Sequence, residues 1–119
     1  MSIRPVILSI AVFFLAGLCE IGGGWLIWRA VREKQPKWWI LPGALLLVAY
    51  GFVQPGLLPD VSSAEFGRAF AVYGGIFIAM SLGWAAALDG FEPDAGDYAG
   101  ACVVLVGVAI MWWYPRGQQ

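Results

Sequence analysis

Long apolar runs separated by short polar segments divide the chain into four candidate helices. The runs cover residues 6–28, 38–58, 67–88 and 98–114, and each is 17 to 23 residues long. A helix rises about 1.5 Å per residue, so runs of this length match the roughly 30 Å hydrocarbon core of a bilayer. The pattern predicts an all-α membrane protein, with four transmembrane helices in a single domain over residues 1–119.

The segments between the runs differ in charge. Segment 29–37 is basic, segment 59–66 is rich in turn-forming residues, and segment 89–97 contains carboxylates but no lysine or arginine. The acidic segment does not have the ligand spacing of a calcium loop such as the EF-hand, so a solvated loop is favoured over a calcium site. Aromatic residues typical of membrane interfaces flank the first loop and end the last run: Trp25, Trp28, Trp38, Trp39, Trp112, Trp113 and Tyr114.

The positive charges leave the orientation in the membrane nearly balanced. Four spans place the first and third loops on one side, with four lysines and arginines between them, and the termini and second loop on the other, with three. The positive-inside rule favours the first loop in the cytoplasm, but insertion in both orientations stays open.

Composition narrows the class of protein further. The chain is 61% hydrophobic and 13% charged, with a mean hydropathy of +0.75, which is typical of a membrane protein. A net charge of −1 without a basic stripe argues against a nucleic-acid partner. The chain has no histidine, no recognisable nucleophile–base motif and no nucleotide-binding loop. We therefore expect no enzymatic activity, no cofactor and no metal site.

The two cysteines lie inside predicted spans and are interpreted as small apolar residues. A lipoprotein signal ending at Cys19 is disfavoured, because Leu18 is large and the apolar run continues to Trp28.

Glu20 lies inside the first span, about 12 Å of helix from the Trp28 end. A charged carboxylate at that depth costs roughly 2.5 kcal/mol or more and is a candidate functional group. The residues on its face of the helix are mostly small and suit close helix packing: Phe13, Ala16, Gly17, Gly23, Gly24 and Ile27. A packing interface with a protonated carboxyl is the alternative.

The chemistry available to Glu20 is exchange of a proton for a cation. Burial disfavours the ionised carboxylate, and no lysine or arginine lies deep inside a span to neutralise it. Four helices enclose little space, so a ligand pathway calls for two subunits. In an antiparallel pair, Glu20 of the partner chain would be level with Tyr73, Gly74 and Gly75. In a parallel pair, it would be level with Met80 and Ser81. A carboxylate beside an aromatic ring suits an organic cation.

Four short motifs are distinctive in combination: AGLCEIGGG at 16–24, RAFAVYGGIFIAMSLGW at 68–84, LDG at 88–90 and DYAGA at 97–101. Together they resemble the YnfA family of small bacterial inner-membrane proteins. That family is similar in turn to the small multidrug resistance transporters of the drug/metabolite transporter superfamily. The resemblance implies four helices, an antiparallel homodimer, the bacterial inner membrane, and export of small organic cations in exchange for protons.

The resemblance also implies roles for individual residues. Glu20 matches the membrane glutamate of the transporters, and Tyr73 stands where they have a binding-site tryptophan. The remaining matches are Ala16 and Gly23 beside the glutamate, Trp84 near the end of the third helix, Gly74 and Gly75 as its hinge, and Gly100 and Gly107 as the packing glycines of the fourth. The chain departs from the transporters at three points: it has tyrosine in place of tryptophan at position 73, no clear match around Tyr50, and a longer, acidic third loop. These departures bear on the identity of the substrate more than on the mechanism.

Two rival functions stay open. In the first, the chain is a structural or regulatory membrane subunit in which Glu20 only specifies packing. In the second, it is a permease partner for a lipid-linked compound or metabolite that requires a different second chain.

Overall fold

A computed structural model describes residues 3–58 and 65–116, with side chains from residue 7 onward. Over these residues the fold is all-α. Helix α1 covers Ile3–Arg32, and a 3-10 turn at Lys37–Trp39 leads into α2, Ile40–Leu57. Helix α3 covers Phe66–Leu88 and α4 covers Ala95–Trp113. In the described part of the chain, these four helices are long and apolar enough to cross a membrane, which confirms the predicted fold class.

Helix α1 continues four residues beyond the predicted end of the first span, so much of the basic segment is helical. Arg29 and Arg32 favour this extension because they are good helix formers and their charges oppose the negative end of the helix dipole. The chain turns at Lys34, which has a positive φ of 58°. The Lys37 ammonium then donates to the Ala30 carbonyl oxygen at 3.0 Å and satisfies one acceptor of the last turn.

The chain forms two compact units, Met1–Asp60 and Val61–Gln119. The first contains the hairpin of α1 and α2, and the second contains the hairpin of α3 and α4. The expectation of one domain over 1–119 stays a prediction.

In the first unit, α1 and α2 cross at a pair of glycines. A Cβ atom added to Gly23 would lie 2.7 Å from the Gly43 carbonyl oxygen, and one added to Gly43 would lie 2.9 Å from the Gly23 carbonyl oxygen. Real side chains are not tolerated at such distances, so the two backbones approach closely only because both residues are glycine. This crossing fixes which residues of α1 and α2 lie opposite one another.

In the second unit, α3 packs on α4 through Gly75. A Cβ atom at Gly75 would overlap the Val108 side chain, which is buried on α4. Helix α4 begins three residues before the predicted span because Asp94 caps it. The Asp97 amide donates to Asp94 Oδ1 at 2.9 Å, and the Asp94 amide donates to Asp97 Oδ2 at 3.0 Å. This reciprocal capping box starts the helix within the acidic segment.

Candidate functional site

Glu20 is half-buried on α1, and its carboxylate has a hydrogen-bond partner on α2. The side chain of Tyr50, also half-buried, forms a hydrogen bond with Glu20. An ionised carboxylate has only acceptors, so the tyrosine hydroxyl is the donor in that state. The membrane carboxylate is thus joined to a neutral proton donor.

The glycine crossing explains how these two side chains meet. In antiparallel helices that touch at Gly23 and Gly43, Glu20 lies opposite Leu46, and Tyr50 lies one turn deeper, about 6 Å away. Side chains in a helix tilt toward its N-terminus. Because α1 and α2 run in opposite directions, Glu20 tilts toward the depth of Tyr50 while Tyr50 tilts back toward Glu20. The two side chains therefore meet between the levels of their backbones.

The two predicted neighbours of Glu20 are both buried. Ala16 has no exposed surface, and Gly23 lies in the crossing with Gly43. Gly24, on the same face in a helical projection, is exposed, and a Cβ atom added to it would meet nothing within 4 Å. Toward the first loop, α2 thus packs closely on the Gly23 side of Glu20, while the Gly24 side is open.

Tyr73 lies in a row of aromatic rings along α3. Its ring centroid is 6.0 Å from that of Phe70 and 5.9 Å from that of Phe77, both within the range of aromatic contacts. Phe66 continues the row at 5.5 Å from Phe70. Only 1% of Tyr73 is exposed, so a ligand can reach its ring only if the groups that cover it move.

The remaining predicted site residues of the second unit have different surroundings. Gly74 has open space beside it, whereas Gly75 packs on Val108. Trp84 is half-buried near the end of α3. The predicted packing glycines on α4 also differ, since Gly100 is exposed and Gly107 is half-buried.

A groove of about 410 Å³ lies between the second half of α3 and the first half of α4. Its walls are mainly apolar or small, and Ser81 and Asp97 are its polar members. The Ser81 hydroxyl donates to the Phe77 carbonyl oxygen at 2.8 Å. Neither Tyr73 nor Trp84 lines this groove.

Tyr50 is the residue that sequence reasoning missed as part of the site. Trp28 and Trp38 mark the same membrane face in the sequence, and Gly23 and Gly43 each lie five residues inside it. This equal depth indicates that α1 and α2 cross at the two glycines, and the crossing in turn places Glu20 near Tyr50. No three Cys, Asp or Glu side chains come together within the described residues, so this part of the chain offers no clustered ligand set for a metal.

A half-buried carboxylate–tyrosine pair between α1 and α2, in a chain whose described residues form four helices long and apolar enough to span a bilayer, defines the class as a multi-pass membrane protein with a polar group inside the bilayer. A family described as "Uncharacterised BCR, YnfA/UPF0060 family" matches residues 6–117. The chain belongs to this YnfA/UPF0060 family, as the sequence motifs predicted.

Curated relatives extend over nearly the whole chain. A UPF0060 membrane protein of Clavibacter sepedonicus is 52% identical, covering 99% of this chain and 98% of its own length. One of Kineococcus radiotolerans is also 52% identical, covering 93% and 96%. A third, of Mycobacterium tuberculosis, is 48% identical, covering 94% and 98%. No solved structure matches the chain significantly.

Proposed function

We propose that this protein is a proton-coupled transporter that exports small hydrophobic or aromatic cations across the bacterial inner membrane. The observation that supports this most is the hydrogen bond between Glu20 and Tyr50 inside a membrane hairpin. A neutral donor stabilises an ionised carboxylate without cancelling its charge. Glu20 thus keeps a net negative charge available for either a proton or a cation, which is what exchange between the two requires.

The proposed cycle uses one group for both ligands. Ionised Glu20 attracts the organic cation, and proton binding to Glu20 removes that attraction and releases it. The Tyr50 hydroxyl donates a hydrogen bond to the ionised Glu20 carboxylate when no ligand is bound, and the ligand replaces this contact when it binds. Because the proton and the cation compete for one site, movement of the cation in one direction is coupled to movement of the proton in the other.

The proposed assembly is an antiparallel homodimer. By helical rise, Glu20 of one chain would then be level with Tyr73 of its partner. The aromatic row on α3 would present ring faces to an organic cation. Tyr73 is covered in the single chain, so binding would require α3 to bend. Gly74 has the open space for such a bend.

Proton release on cation binding tests this proposal directly. Purified protein in detergent is mixed with a panel of aromatic and quaternary ammonium cations at several pH values, and released protons are followed with a pH indicator. We expect saturable release of up to one proton per Glu20. Glu20→Gln should abolish it, while Glu33→Gln, which changes an exposed carboxylate in the first loop, should not.

The structural rival predicts a different result. If Glu20 serves only to pack α1 against α2, no cation releases protons from the wild-type protein at any pH. Undiminished release from Glu20→Gln would likewise overturn the assignment, because the proton would then come from another group.

A further inference from the structure

Two tryptophan–arginine pairs follow each other at the end of α1. Trp25 pairs with Arg29 and Trp28 pairs with Arg32, each at a spacing of four residues. The guanidinium carbon of Arg29 lies 4.7 Å from the Trp25 ring centroid, and that of Arg32 lies 5.3 Å from the Trp28 ring centroid. Both distances are within the range of cation–π contacts. The indole rings thus hold two guanidinium groups on neighbouring positions of one helix.

The first of these rings is itself fixed by the other side of the hairpin. Trp25 stacks with Trp39, with centroids 6.4 Å apart and planes inclined by 23°. Trp39 also makes an edge contact with Trp38 at 6.4 Å. Because Trp39 lies in the 3-10 turn before α2, the stack ties the end of α1 to the start of α2. The Arg29 side chain therefore rests on a ring with little freedom to move.

The charge of this region is strongly positive. Residues 29–37 contain four lysines and arginines and a single carboxylate, Glu33. Glu33 lies 3.7 Å from Arg29, but both side chains are partly exposed, so water screens this pair. Arg32 is exposed and lies above its ring. Glu33 thus offsets only part of the positive charge at this end of the hairpin.

We propose that the tryptophan–arginine cluster formed by Trp25, Trp28, Arg29 and Arg32 binds the phosphate of an anionic phospholipid headgroup. Guanidinium groups match phosphate oxygens in a two-pronged geometry. Tryptophan rings favour the headgroup depth of a bilayer, so they place both guanidinium groups where lipid phosphates lie. Free phosphate offers the same oxygens but no acyl chains beside the apolar helix surface.

Lipid retention measured by native mass spectrometry tests the site. The protein is reconstituted in nanodiscs of mixed phosphatidylglycerol and phosphatidylcholine, released, and examined for bound lipid. We expect the wild type to retain phosphatidylglycerol preferentially. Arg29→Gln/Arg32→Gln should reduce that preference about 25-fold, or about fivefold for each arginine near an anionic surface. Arg32→Gln alone, at an exposed position, is the second variant if the double variant does not fold.

Two controls separate a built lipid site from a general basic surface. Arg68→Gln/Arg116→Gln removes the same charge elsewhere, where Arg116 lies 5.4 Å from the Tyr114 ring centroid, and should reduce the preference less than the cluster variant does. An equal reduction would show a general basic surface. Trp28→Leu keeps every charge but removes one ring, and should weaken retention about threefold. Wild-type retention in Trp28→Leu would overturn the built site. Displacement of the lipid by equimolar inorganic phosphate would overturn the assignment to lipid.

Discussion

Glu20 and Tyr50 form a polar contact in a part of the chain where water is scarce. An unpaired carboxylate inside a membrane is costly, and a hydroxyl donor lowers that cost while leaving the charge in place. The pair therefore explains how a glutamate can be kept in an apolar helix with its charge available for the proposed exchange. A lysine or arginine partner would instead have neutralised it.

The strength of this contact can be measured by a double-mutant cycle. Tyr50→Phe removes only the hydroxyl, and Glu20→Met removes the carboxylate while keeping an unbranched side chain of similar length. We expect the two changes to be non-additive by about 1–2 kcal/mol in the free energy of unfolding in detergent. Additive effects would show that the hydrogen bond contributes nothing to the folded state.

Asp94 makes a pH-dependent contribution at the start of α4. The backbone amide of Asp97 donates to its carboxylate and holds the Asp94 pKa below the usual aspartate value of 3.8. Because the pKa is lower in the folded protein, the cap stabilises fully above pH 3.8 and is lost as pH falls through the depressed value. We expect the protection of amides in the first turn of α4, measured relative to their intrinsic exchange rate at each pH, to fall over that acidic interval.

Two substitutions at Asp94 separate its charge from its hydrogen bond. Asp94→Asn keeps an oxygen acceptor at the N-cap but cannot titrate, so protection of the first turn should no longer depend on acid. Asp94→Ala should expose the turn to exchange at neutral pH as well. Acid-dependent exchange that persists in Asp94→Asn would assign the effect to another carboxylate of the loop.

At the scale of the helices, adjacent glycines have different roles. Gly23 and Gly43 meet at the crossing of α1 and α2, whereas Gly24 faces open space. The crossing also sets the depth at which Glu20 meets Tyr50. A change that disturbs the packing of α1 on α2 should therefore also disturb the contact between Glu20 and Tyr50.

Alanine substitutions at adjacent glycines test this distinction. Gly23→Ala places a methyl group against the Gly43 carbonyl and should destabilise the protein by about 1–3 kcal/mol. It should also reduce cation-driven proton release, since α2 must move away from Glu20. Gly24→Ala is the matched control and should stabilise the helix by up to about 1 kcal/mol. Equal effects of the two changes in thermal unfolding would contradict the glycine crossing.

The sequence pattern predicted the number and approximate extent of the helices because the length of an apolar run is set by the bilayer. It did not predict their ends, which depend on local contacts such as the Asp94 cap and the Lys37 bond to Ala30. Glu20 could be singled out because charge is rare in a span. Its partner Tyr50 follows only from the register of α1 and α2, which the equal spacing of Gly23 and Gly43 from the flanking tryptophans indicates, and from the tilt of two side chains.

At the scale of the whole molecule, the charges of the loops bear on how copies insert in the membrane. Four lysines and arginines lie on one predicted side and three on the other. This small difference allows two copies to insert in opposite orientations. Opposite insertion is what the proposed antiparallel dimer needs, so assembly and transport should both depend on this balance.

Variants with fixed orientations test that dependence. Asp89→Lys/Glu92→Lys raises the count on the side of the first and third loops to six against three and should place these loops in the cytoplasm. Lys34→Asn combined with Ser2→Lys, Gln118→Lys and Gln119→Lys reverses the count to three against six and should place the termini there. Each variant expressed alone should lack proton-driven cation transport in membrane vesicles. Expressed together, they should restore it, because only the mixture contains both orientations.

Two further measurements make the result decisive. A reporter at the C-terminus, accessible from one side only, verifies the orientation of each variant. Glu20→Gln introduced into both members of the pair should abolish the restored transport, which would attribute it to the membrane carboxylate. If one variant with a verified single orientation transports at the wild-type rate, the antiparallel dimer is wrong, and a parallel assembly or a different partner chain must provide the pathway.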